Sequence, residues 1–102
     1  MTVSELHQND LEYLQDMITL GKMTVDQANV EMVRMQRVRI ITNSLPSQIR
    51  KVLNFAVKSG QLGHKKKEGH KPEVYYHPAF EHMANEERDT IEQEIRNASV
   101  RF

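Results

Sequence analysis

Apolar residues along this chain recur mostly at intervals of three and four, the period of an amphipathic helix, until the period shortens beyond residue 60. Leu11, Leu14 and Ile18, with Met17 and Tyr13 beside them, predict a first helix from about Ser4 to Leu20. Glu5, Asp10, Glu12 and Asp16 load its N-terminal side, where acids meet the positive end of the helix dipole, and Gly21-Lys22 ends it. Thr24-x-x-Gln27 then reads as a capping box, the hydroxyl taking one free N–H while Gln27 reaches back for another. Val25, Ala28, Met32 and Met35 supply the apolar stripe of this second helix. Residues 37–42, Arg-Val-Arg-Ile-Ile-Thr, fit either a continued helix or a short extended segment, because β-branching rises there. The expectation adopted is helix to about Ile40.

Thr42-Asn-Ser-Leu-Pro46 is the clearest break: Asn43 and Ser44 suit a turn, Ser44 can cap, and Pro46 tolerates a first helical turn. Ile49, Val52, Leu53 and Ala56, widened by Phe55 and Val57, predict a third helix over 46–59, closed by Gly60. Ser47, Lys51, Asn54 and Lys58 fall opposite that stripe, with Gln48 and Arg50 near its N-terminal end. Gln61–Lys66 and Glu73–His77 read as two short strands around a turn in which Gly69 permits a positive φ and Pro72 stays outside the ladder. Alternation along the second strand places Tyr75 and Tyr76 on opposite faces, so at most one is expected in the core. A last helix over about 79–97 carries Phe80, Met83, Ala84, Ile91, Ile95 and Ala98 on one side and acids on the other, with fraying expected over residues 98–102.

Composition narrows the class. One hundred and two residues with 38% hydrophobic content suit a single domain spanning 1–102 with one modest core. The absence of cysteine excludes disulfides and thiolate chemistry. No apolar run reaches the roughly 18–20 residues of a membrane span, so the expected setting is intracellular and cytoplasmic. A formal net charge of zero conceals three blocks: residues 1–32 carry −5, residues 33–72 carry +9, and residues 73–102 carry −4. A basic centre between acidic ends can meet a polyanion, or can pair internally.

Helix, turn, helix, glycine and basic hairpin in this order resemble the winged helix-turn-helix family of DNA-binding domains. The likeness rests on Val52-Leu53, Phe55-Ala-Val57, Lys58-Ser-Gly60, Leu62, the basic stretch Lys65-Lys66-Lys67 to Lys71, and Tyr75-Tyr76. It covers roughly half the chain. The implied fold class is mostly α (α+β): a helix-turn-helix plus wing over 24–78, with a two-stranded wing, flanked by helices over 1–21 and 79–102. The resemblance implies that helix 46–59 enters a major groove, with Ser47, Gln48, Arg50, Lys51, Asn54 and Lys58 reaching base edges or phosphates. It further implies a wing over 63–72 in which Lys65, Lys66, Lys67, His70 and Lys71 hold phosphate, with Arg34, Arg37 and Arg39 adding contacts from the preceding helix.

Other chemistry has little support. His64, His70, His77 and His82 fall within nineteen positions without a zinc-ligand spacing, and neither metal nor cofactor is expected. No nucleophile elbow, phosphate loop or acid/base pair stands out, so the reading is a non-enzyme. The expected function is sequence-specific double-stranded DNA binding by a small transcriptional regulator, nucleoid-associated if so, with the terminal helices available for a homodimer. The alternative is a winged-helix adaptor or inhibitor that binds a protein of the transcription or other nucleic-acid machinery. RNA binding has less support because aromatic platform residues are few.

Overall fold

The computed structural model describes residues 8–100. The predicted first-helix segment 4–7, with Glu5, and the fraying expected at 101–102 lie outside them. The chain runs α1 (Gln8–Thr19), α2 (Val25–Gln36), β1 (Val38–Ile41), α3 (Ser47–Lys58), β2 (Gly63–Lys65), β3 (Glu73–Tyr76), a turn of 3-10 helix (Pro78–Phe80) and α4 (Glu81–Val100). The result is a mostly helical α+β fold around a three-stranded antiparallel sheet of order β1-β3-β2.

Sequence signals set most boundaries. α1 stops at Gly21 with φ +72°, where the Gly21 and Lys22 N–H groups bond back to Ile18 and Met17. α2 opens on the expected box, with Gln27 N–H donating to the Thr24 hydroxyl at 3.1 Å and Thr24 N–H donating to the Gln27 side chain at 2.9 Å. Gly60, at φ +82°, closes α3 while the Gln61 N–H bonds back to Ala56.

The expected continuation of α2 to Ile40 is incorrect. The helix ends at Gln36, Arg37 takes φ +70°, and Val38–Ile41 form β1, so the predicted two-stranded hairpin gains a third strand. The Arg37 carbonyl accepts the His77 N–H at 2.8 Å, tying the start of β1 to the end of β3. Val38 pairs with Tyr76 and Ile41 with Glu73. Three β-branched residues in four suit this ladder better than a helical turn. Two smaller expectations also change. Pro46, not Ser44, occupies the N-cap of α3, without a side-chain hydrogen bond. In α2 it is Ala28 and Val33 that bury, while Val25 is exposed.

Helices cover the sheet on both faces. On one, Val33, Leu53, Ala56, Leu62 and Tyr75 form a cluster against α2 and α3. On the other, Val38, Val74, Tyr76 and Ala84 pack under α4. Tyr75 and Tyr76 are therefore both core, against the expectation that only one would be. They do lie on opposite faces, but each face has its own helix layer. Gly63 pairs with Tyr76, and a methyl at Gly63 would land on the Tyr76 ring, so glycine gives the tyrosine its seat. Among the described residues no helix is long and apolar enough to cross a membrane.

Candidate nucleic-acid interface

α3 divides its polar residues between two hollows. One lies between α3 and the β2–β3 hairpin, with a volume of about 520 Å³, and gathers Arg50, Asn54 and Lys58 from the helix with His64, Lys66 and Lys67 from the hairpin. Glu73 lies at its floor. With Glu73 set against Arg50, this concave face keeps the charges of Lys58, Lys66 and Lys67 unbalanced. Strand alternation explains why Lys65 is missing from the hollow that His64 lines. His64 pairs across to Tyr75 on the α3 side of the sheet, while Lys65 pairs to Val74 on the α4 side.

The floor of the hollow is a tight network. Arg50 donates from both terminal nitrogens to Glu73, at 2.8 and 3.0 Å, and His64 Nε2 meets the same carboxylate at 2.7 Å. The Arg50 bonds, helped by His64, hold the Glu73 carboxyl below its ordinary range against the opposing effect of burial. The same bonds raise the Arg50 pKa. His64 stacks on the Tyr75 ring at 4.3 Å between centroids, and the Tyr75 hydroxyl donates to Asn54 Oδ1 at 2.8 Å. Burial, first of all, pushes the Tyr75 pKa up.

The structure does not bring all the predicted site residues together. Ser47 and Gln48 are exposed on the first turn of α3. Lys51 lines the second hollow, of about 660 Å³, between α2 and α3. Lys65 is paired with Glu81 at 3.2 Å and Lys71 with Asp89 at 3.4 Å, so both hairpin lysines are directed to α4. His70 is exposed beside Gly69, which has φ +60° in the turn. Arg34 pairs loosely with Glu31 at 3.9 Å. Arg37 and Arg39 are not on the preceding helix, as expected, but at its end and on β1, with the Arg37 guanidinium 5.0 Å from the Phe80 ring centre.

Three contributors escaped the sequence reading. Glu73, the first residue of β3, shares a sheet face with Tyr75 by alternation, which was the one signal available for it. Arg88 is 7% exposed and donates to the carbonyls of Pro72 at 3.0 Å and Lys66 at 2.9 Å, clamping both sides of the hairpin to α4. Phe55, assigned to the apolar stripe, is instead 71% exposed and borders the α2–α3 hollow with Met23, Val30 and Val52. Among the described residues no group of three or more His, Asp or Glu side chains could hold a metal ion. Comparison with protein-family models, curated proteins and solved structures finds no match to this chain.

Proposed function

We propose that this chain is a winged helix-turn-helix protein that binds double-stranded DNA, using α3 in the major groove and the β2–β3 hairpin as the wing. The observation that carries the reading is the concave face on which Lys58 of α3 meets Lys66 and Lys67 of the hairpin, beside Asn54. Helix and hairpin donors converging on one hollow match a groove edge and its flanking phosphates. The succession α2, β1, α3, β2, β3 supports the same reading, as does the resemblance of residues 49–76. On this account the protein positions itself on nucleic acid and regulates transcription, without catalysis.

Fluorescence anisotropy with a random duplex pool across a salt series tests it. Three to four neutralised phosphates give a slope of log affinity against log salt of about −3 to −4. A Lys66→Ala/Lys67→Ala variant is expected to flatten that slope by about 2, whereas Lys65→Ala, whose ammonium pairs with Glu81, leaves it nearly unchanged. Salt-independent binding, or equal effects of the two variants, refutes the account.

A second reading, a protein adaptor, draws on the exposed Phe55 and the hollow beside it, where Met23, Val30 and Val52 meet charged residues of α2 and α3. It requires that Phe55→Glu abolish capture of a stoichiometric, nuclease-resistant protein partner while Lys66 and Lys67 can be neutralised without effect.

A further inference from the structure

We propose that Tyr75 sets the base preference of the α3 face by holding the Asn54 amide as a hydrogen-bond donor, so that Asn54 selects guanine rather than adenine. The inference rests on the duplex-binding reading above and adds to it the base edge that is recognised.

An unconstrained asparagine presents one acceptor and two donors, which match the amino group and N7 of adenine in the major groove. Asn54 is constrained. Its Oδ1 accepts the Tyr75 hydroxyl at 2.8 Å. An amide oxygen only accepts, so the hydroxyl is the donor in that bond. Tyr75 cannot withdraw from it: the residue is fully buried, and its ring lies on His64 with 11° between the planes.

Turning the amide over would take from the Tyr75 hydroxyl proton the acceptor it now has. What Asn54 offers to the hollow is the Nδ2 amino group, which has no hydrogen-bond partner among the described residues. Lys58, one turn later on the same wall, is also a pure donor. Two neighbouring donors fit the N7 and O6 acceptors of guanine. Adenine instead needs an outward-facing Oδ1 for its amino group, and this Oδ1 is turned toward the buried Tyr75, with one lone pair already used.

The experiment is selection from a random duplex library with the full chain as wild type, Tyr75→Phe and Asn54→Asp, each checked for a cooperative thermal transition by circular dichroism. The base position read by Asn54 is the one whose preference moves in Asn54→Asp. Guanine is expected there in the wild type. Asn54→Asp turns the donor into an acceptor and is expected to replace guanine by cytosine, whose amino group faces the carboxylate. Tyr75→Phe releases Oδ1 and is expected to raise adenine relative to guanine by about five- to tenfold. Should Tyr75→Phe fail to fold, the wild-type preference at the position located by Asn54→Asp decides: guanine supports the restraint on Oδ1, and adenine overturns it. Adenine at this position in the wild type, or one base preference shared by all folded variants, overturns the proposal. Failure of every protein to enrich any duplex overturns the binding reading itself.

Discussion

Replacing Gly63 by alanine isolates the tightest packing constraint in the sheet. A methyl there would land on Cζ and Cε2 of Tyr76 and 2.6 Å from its hydroxyl oxygen, whereas ordinary contact begins at 3.4 Å. The ring must withdraw by about 1 Å, but Tyr76 is 7% exposed and packed with Val38, Val74 and Ala84. Overpacking of this kind costs about 1–3 kcal/mol. Alanine restricts the unfolded chain more than glycine does, which returns about 0.5–1 kcal/mol, so a net loss of about 1–2 kcal/mol is expected. Urea denaturation followed by circular dichroism measures it. In a Tyr76→Val background the obstructing ring atoms are gone, and Gly63→Ala is expected to be neutral or slightly stabilising. Equal cost in both backgrounds would show that the tyrosine seat is not the reason for glycine at this position.

Two further outcomes concern the charged groups. Arg88→Met keeps much of the side-chain volume but leaves the Lys66 and Pro72 carbonyls without their donor, and is expected to lose about 2–4 kcal/mol by urea denaturation. Amide exchange should then accelerate at the Glu68 and Lys71 N–H groups of the hairpin turn, and unchanged exchange would argue against the clamp. Glu73 has a folded pKa below its ordinary 4.5, so its contribution is full above that value and is lost as pH falls through the lowered folded value. Glu73→Gln is therefore expected to cost about 1–2 kcal/mol at pH 7, a figure reduced for the part-exposed Arg50. It should also show a flatter fall in stability from pH 5 to 3 than the wild type; parallel curves would contradict the assignment.

Much of the helical framework was legible because its signals are local. The Thr24–Gln27 cap, the glycine stops at 21 and 60, and the apolar residues Leu53 and Ala56 each act within a few positions. The two-faced sheet was harder to see. Val74-Tyr75-Tyr76 is a continuous apolar run, the pattern of a strand covered on both sides, but alternation applied to it implied one exposed face. The strand at 38–41 was ambiguous because its partner lies more than thirty residues away, so no local preference could decide it. In the candidate site, periodicity located Asn54 and Lys58 opposite the core. The commitments of Arg50 to Glu73 and of Lys65 and Lys71 to α4 depend on contacts 16 to 23 residues apart and leave no periodic trace.

The pairing of Gly63 with Tyr76 has a consequence for how the chain tolerates changes in length. Removing one residue of β2 ahead of Lys65 would rotate the strand side chains that follow to the opposite face, carrying Lys65 from Glu81 into the hollow. Removing two would keep each side chain on its own face while displacing the glycine from beneath the ring. The hairpin thus has a parity: odd changes in its first strand rewrite the charge of the concave face, and even ones disturb its packing.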